Sequence, residues 1–128
     1  MIHHAAMWVS DLEKMKDFYS KYFGGTANNL YYNSKKEFRS YFLSFQDGSK
    51  LELMQTPAVN ESRGDTEKQF IGYTHIAFSA GGAENVDKLT NRLTGDGYRL
   101  ISAPRTTGDG FYESCILDPE GNRVEIVG

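Results

Sequence analysis

A single cysteine, Cys115, excludes a disulfide within the chain, and a lone thiol suits a reducing cytoplasm, which is the expected location. No apolar run approaches the ~20 residues that cross a bilayer as a helix. The opening Met1-Ile2-His3-His4-Ala5 has no basic region followed by an apolar stretch, so no signal peptide is expected. Positive charge is also short. Fourteen Lys and Arg stand against 17 Asp and Glu, for a net charge of −3, and the bases are scattered where a nucleic-acid surface would concentrate them. The expected partner is a small molecule, with no nucleic acid and no membrane. Histidine is scarce as well, with only three in the chain, so any pattern among them carries information. Aromatic residues are plentiful, with eight Tyr and eight Phe, and sheet and core packing is the first use expected of them.

A chain of 128 residues fits one ordinary domain. Residues 3–9 read as a strand. Ser10 followed by Glu13 is a capping box that predicts a helix start. Leu12, Met15, Phe18, Tyr19, Tyr22 and Phe23 then form one helix face, ended by Gly24-Gly25. Strands are predicted at about 27–32, 39–46 and 50–55, with Asp47-Gly48-Ser49 turning between the last two. Residues 57–69 are polar and without periodicity, and read as a loop. The pattern then recurs: a strand at 73–79, a helix face of Ala83, Val86, Leu89 and Leu93 ended by Gly95-Asp96-Gly97, and strands near 98–102, 111–117 and 123–127, with a turn at Pro119-Glu120-Gly121-Asn122.

The repeat extends to residues. Asp47-Gly48-Ser49-Lys50-Leu51-Glu52-Leu53 matches Glu120-Gly121-Asn122-Arg123-Val124-Glu125-Ile126 position by position in character, and His4-Ala5-Ala6-Met7 matches His75-Ile76-Ala77-Phe78. The economical description is one α+β domain over residues 1–128, with module one at about 1–57, a loop at about 58–70 and module two at about 71–128. Each module is strand, helix and three strands. Neither is comfortable alone, so the two are expected to pair.

Side chains alternate along a strand. If Leu51, Leu53, Val124 and Ile126 pack under the helices, Glu52 and Glu125 face the other way, and His75 and Ala77 turn with them. By the repeat, so do His4 and Ala6, while alternation sends His3 to the opposite face. Two imidazoles and two carboxylates suit a borderline divalent ion, Zn²⁺ or Ni²⁺ first and Co²⁺, Mn²⁺ or Fe²⁺ after them. The expected ligands are therefore His4, Glu52, His75 and Glu125. Cys115 reads as buried packing, and Glu113 is a candidate third carboxylate on that face. Thr106-Thr107-Gly108-Asp109-Gly110 lacks the Lys-Ser/Thr of a phosphate loop and reads as a flexible loop or lid.

The stretches around His4, Phe18-Tyr19, Leu51-Glu52-Leu53, Tyr73-Thr74-His75-Ile76-Ala77 and Leu117-Asp118-Pro119-Glu120-Gly121-Asn122-Arg123-Val124-Glu125-Ile126 resemble the vicinal oxygen chelate superfamily, which includes glyoxalase, bleomycin-resistance and extradiol dioxygenase proteins. The resemblance covers essentially the whole chain. It implies two pseudo-symmetric βαβββ modules whose curved mixed sheets enclose a metal cleft, and a homodimer in which modules pair within one chain or between two. The His-Glu-His-Glu set looks like that of glyoxalase I. It implies a metal-dependent lyase or isomerase acting on a small carbonyl compound or hemithioacetal through an enediolate, with Glu125 as base and Glu52 as its symmetric alternative. Glutathione or another thiol is the implied cofactor. Bacterial relatives usually carry an arginine four residues after the first ligand, where this chain has Trp8; that substitution weakens the expectation of glutathione. Core packing is the first expectation for Trp8, and stacking on a flat substrate the second. Arg39, Lys50 and Arg105 are the remaining candidates for anion binding. The alternatives within the resemblance are a non-catalytic protein that sequesters a drug-like ligand, and an epimerase, thiol transferase or dioxygenase.

Overall fold

Twelve residues with apolar side chains on one stripe and polar ones opposite make an amphipathic helix, and α1 spans Leu12–Phe23. It follows strand β1, Ala5–Trp8. Leu12, Met15, Phe18, Tyr19 and Tyr22 are its buried face. The helix is capped by Asp11, whose carboxylate accepts from the Lys14 N–H at 3.0 Å. The N-cap is therefore Asp11, one residue after the Ser10 expected from the sequence. A carboxylate is a stronger acceptor at the positive end of the helix, and Glu13 is engaged elsewhere, by Lys16 and by the Tyr41 hydroxyl, each at 2.6 Å. Gly24 closes the helix with φ +73°, a left-handed turn that costs glycine little.

The computed structural model describes residues 1–59 and 64–128. The chain divides into two units, Met1–Arg63 and Gly64–Gly128, and each is described by itself. The predicted loop includes residues 60–63, which lie outside the described residues.

In the first unit, α1 is followed by β2 (Thr26–Ala27), β3 (Tyr31–Asn33), β4 (Phe38–Ser44) and β5 (Lys50–Gln55). The sheet runs β1-β5-β4-β2, with β3 also on β4, and β1 is parallel to β5 while the other pairs are antiparallel. The strand predicted at 27–32 is two pieces. Asn28 breaks it by taking the place of a ladder partner: its backbone N–H donates to the Phe42 carbonyl at 3.0 Å and its side-chain oxygen accepts from the Phe42 N–H at 2.8 Å. The turn before β5 forms as expected, with Asp47 Oδ1 accepting from the backbone N–H of Ser49 at 3.0 Å and from its hydroxyl at 2.7 Å. Leu43, Leu51 and Leu53 are buried on the face that α1 covers. Emptying such a site, as in Leu53→Ala, costs roughly 2–5 kcal/mol.

The second unit holds β6 (His75–Ser79), α2 (Ala83–Gly95), β7 (Leu100–Thr106), β8 (Tyr112–Leu117) and β9 (Arg123–Val127), in the sheet order β6-β9-β8-β7. Here β6 is parallel to β9, repeating the β1–β5 relation. Val86, Thr90 and Leu93 of α2 are buried, as are Ser114, Ile116, Val124 and Ile126 of the sheet. The strand predicted at 98–102 runs to Thr106 and so includes Pro104. It tolerates proline because β7 is an edge strand with register shifts against β8. The segment predicted as a loop or lid is the hairpin turn between β7 and β8: Thr107 N–H donates to the Phe111 carbonyl at 2.8 Å, Gly110 N–H donates to the Thr107 carbonyl at 3.0 Å, and the Thr107 hydroxyl bonds Asp109. Before β9, buried Asp118 accepts from the backbone N–H groups of Glu120 and Asn122, each at 2.9 Å. Among the described residues no helix is long and apolar enough to cross a membrane.

Candidate metal-binding pairs

In the first unit Ala6 lies opposite Glu52, and Glu52 opposite Phe42. Residues directly opposite share a face of the sheet, so Glu52 stands on the side away from α1 while Leu51 and Leu53 are buried beneath it. His4 precedes β1, two residues before Ala6. Its Nε2 is 3.5 Å from Glu52 Oε2, and its ring meets Phe42 edge-on at 5.2 Å.

The second unit repeats this arrangement. Ala77 lies opposite Glu125, and His75 opposite Arg123. His75 Nε2 is 3.1 Å from Glu125 Oε2. Val124 and Ile126 are buried on the other face. Both carboxylates are largely covered, with side-chain exposures of 16% for Glu52 and 22% for Glu125, so each is held close to its imidazole.

The far nitrogen of each ring is also occupied. Thr74 Oγ1 is 2.9 Å from His75 Nδ1, and His3 Nδ1 is 2.8 Å from His4 Nδ1. Thr74 and His3 hold equivalent places in the repeat. A partner on one imidazole nitrogen fixes the ring and presents the other to a ligand. The expectation that alternation carries His3 away from His4 fails, because both residues precede the strand and its pleat does not govern them. The signal for these contacts in the sequence is the offset of 71, which matches His4 to His75 and also His3 to Thr74.

Each unit thus supplies one imidazole nitrogen and one carboxylate oxygen. Among the described residues, His, Cys, Asp and Glu side chains form no group of three or more that could hold a metal ion, so what the structure shows of the expected ligands is one His–Glu pair in each unit. Nitrogen and oxygen donors of this kind fit a borderline divalent cation.

The remaining candidates separate by face. Glu113 shares the face of Glu125, since Cys115 lies opposite Glu125 and Glu113 is two residues along β8. Its carboxylate pairs with Arg105 at 3.8 Å. Cys115 is buried as expected, and burial pushes its thiol above the ordinary range, with the Glu125 carboxylate adding to the shift against the pull of Arg123. Arg123, which its sequence position marks only as the base preceding the Val124-Glu125-Ile126 triplet, shares the face of His75 and Glu125 and donates to the Thr66 and Glu67 carbonyls at 3.5 and 3.3 Å. Lys50 is on the face of Glu52. Arg39 is on the opposite one, stacked over Tyr32 at 5.4 Å and lining a cavity of about 470 Å³ together with Val9, Gln55 and Thr56. Trp8 corrects its first expectation. It is 47% exposed, because residues of its parity on β1 face away from α1.

The sequence pattern of the Glyoxalase/Bleomycin resistance protein/Dioxygenase superfamily matches residues 1–126. The chain belongs to this superfamily. Its mixed α+β architecture agrees with solved members. It superposes on the glyoxalase family protein from Enterococcus faecalis with a TM-score of 0.79 at 21% identity, covering 100% of this chain and 97% of that one. On the trypanothione-dependent glyoxalase I of Leishmania major the TM-score is 0.78 at 20% identity, covering 100% and 86%. At these identities the likeness is one of fold. A relative of known sequence, the uncharacterized protein YqjT of Bacillus subtilis (strain 168), is 30% identical over 98% of this chain and 97% of its own length.

Proposed function

We propose that the protein is a metal-dependent lyase or isomerase of the glyoxalase I type, acting on a hemithioacetal or another small carbonyl compound. The observation that carries this reading is the matched geometry of the two His–Glu pairs, at 3.5 Å and 3.1 Å, with the second imidazole nitrogen held in each. His4, Glu52, His75 and Glu125 would together hold one divalent ion, Zn²⁺ or Ni²⁺ first, with Co²⁺, Mn²⁺ or Fe²⁺ as alternatives. Such an ion, when bound, supplies a Lewis acid beside the substrate oxygens.

The chain's own part is the proton. A hemithioacetal carries a C–H and a hydroxyl on one carbon and a carbonyl on the next. Glu125 takes the C–H proton and a proton returns to the neighbouring carbon. The hydroxyl proton is lost from the first oxygen and one is gained by the second, so the first carbon becomes a thioester carbonyl and the second an alcohol, and atoms and electrons balance with no outside oxidant. The enediolate between these steps carries charge absent from the ground state, and stabilising that charge lowers the barrier. A carboxylate next to the reacting carbon is a competent base, and Glu52 is the symmetric alternative to Glu125. The family resemblance carries a homodimer and a thiol cofactor into the same reading. Trp8, in place of an arginine, disfavours glutathione itself.

The test is isomerisation of methylglyoxal hemithioacetals made with several thiols, on protein stripped of metal and reloaded with each ion. We expect turnover with at least one ion and thiol, and a loss of about 100-fold or more in kcat for Glu125→Gln or Glu52→Gln. No turnover in any combination sinks the reading. Exposed aromatic rings on the Glu52 face favour a second one, a protein that sequesters a flat ligand without turning it over; ligand binding with no turnover would select it.

A further inference from the structure

The sheet face that carries Glu52 also carries rings that the core does not use. Trp8 lies opposite Met54, Met54 opposite Ser40, and Ser40 opposite Tyr31. All four share the face of Ala6, Glu52 and Phe42, as does Phe38 two residues before Ser40. Trp8 meets Phe38 edge-on at 6.1 Å, and Tyr31 meets the same ring at 6.0 Å. These are the separations of interacting aromatic pairs. Trp8 and Tyr31 nevertheless remain 47% and 53% exposed. The unit's own core lies on the other face, where Leu43, Leu51 and Leu53 are buried under α1, so folding does not account for rings held in contact here. Along this row, from Trp8 through Met54 and Ser40 to Tyr31, and at Phe38, no side chain is charged. The row begins two residues beyond that of Ala6 and Glu52, roughly 7 Å along the strands, which is about the reach of a phenyl group attached beside a carbonyl.

We propose that Trp8, Phe38 and Tyr31 form an aromatic wall that selects substrates bearing a flat, uncharged, aryl-type substituent next to the reacting carbonyl. This rests on the isomerase reading above for what happens to the substrate, but not for the recognition itself. An uncharged wall of rings has nothing to offer the carboxylates of a peptide thiol, whereas ring-on-ring contact adds about 0.5–1.5 kcal/mol beyond area burial, or roughly a threefold to tenfold preference.

Trp8 is the chain's only tryptophan, so its emission reports on the wall directly. The full chain is titrated with mandelate and with lactate, 2-hydroxy acids that differ in phenyl against methyl. We expect mandelate to change Trp8 emission at a concentration about tenfold below any effect of lactate, and Tyr31→Ala to weaken the mandelate response while circular dichroism and melting temperature hold. In parallel, kcat/KM is compared for phenylglyoxal and methylglyoxal hemithioacetals of one thiol. The phenyl substrate should be preferred, and Trp8→Leu should reduce the ratio about tenfold. If neither substrate is turned over but mandelate still acts selectively on Trp8, the recognition stands and the isomerase reading falls. Equal responses to mandelate and lactate, or turnover with no phenyl preference, overturn the aromatic wall.

Discussion

His75 Nε2 stands 3.1 Å from Glu125 Oε2 although the two residues are two positions out of register, His75 lying opposite Arg123 and Ala77 opposite Glu125. Alanine at 77 leaves room for that diagonal. Ala6 leaves the same room between His4 and Glu52. If these pairs hold a divalent ion, the ion binds the folded chain and stabilises it. At a free concentration about 100 times its dissociation constant the gain is about 2.7 kcal/mol. Denaturant titration with and without Zn²⁺ or Ni²⁺ measures it. The His75→Ala/Glu125→Ala variant should lose the gain, and a wild type that gains nothing from any of the five ions refutes the site.

Much of this arrangement is legible in the residues. The aliphatic–Glu–aliphatic triplets at 51–53 and 124–126 fix which face each glutamate takes, because one misplaced step would bury a charge and expose two aliphatics. The strands containing them fall where alternation puts them. What the sequence conceals is decided by competition for hydrogen bonds. Ser10 and Asp11 are both acceptable helix caps, and only the folded chain shows Asp11 bonding Lys14. Asn28 looks like any strand residue until its side chain replaces a backbone partner of Phe42. Trp8 is apolar enough to suggest the core, yet its parity with Ala6 sends it to the other face. His3 precedes the strand, which begins at Ala5, so the strand's alternation does not set its side.

Thr90 and Ser114 join α2 to β8 in the core of the second unit. They are 2% and 1% exposed, their hydroxyl oxygens are 2.6 Å apart, and Thr90 also donates to the Val86 carbonyl at 2.6 Å. One hydroxyl hydrogen cannot serve both contacts, so Ser114 donates to Thr90 when Thr90 donates to Val86. Thr90→Val strands the Ser114 hydroxyl in an apolar setting, at about 1–3 kcal/mol. Ser114→Ala leaves Thr90 its Val86 bond and should cost about 1 kcal/mol. The double variant should cost less than the sum. Strict additivity in urea unfolding would show that the two hydroxyls do not depend on each other.

Glu13 accepts from Lys16 and from the Tyr41 hydroxyl, and these bonds hold its carboxyl below the usual carboxylate range. The Glu13 bond holds the Lys16 ammonium above its ordinary value, and the Tyr41 phenol likewise. The signs set the pH window. A depressed carboxyl contributes stability above its unfolded pKa and loses it as the pH falls through the folded one; the raised partners lose theirs as the pH rises through their own folded values. The Glu13 side chain is 59% exposed, so solvent screening keeps the effect under about 1 kcal/mol. Glu13→Gln should therefore melt slightly below wild type near neutrality, and the gap should narrow in acid and again in strong base. A gap that does not vary with pH would assign the loss to packing.

Thr74 touches His75 and lies outside the four-ligand set, which makes it the cleanest probe of how the ring is presented. Its hydroxyl is 2.9 Å from His75 Nδ1, and it is exposed, so its removal should leave folding intact. Partners of this kind typically contribute about 10- to 100-fold in metal affinity. Thr74→Val keeps the shape and deletes the oxygen, and should weaken divalent-ion binding by about tenfold or more. Thr74→Ser keeps the oxygen and should restore most of the affinity. Competition against a chromophoric chelator reads both. If Thr74→Val binds as tightly as wild type, the contact does not orient His75, and the matching contact of His3 with His4 loses the same interpretation.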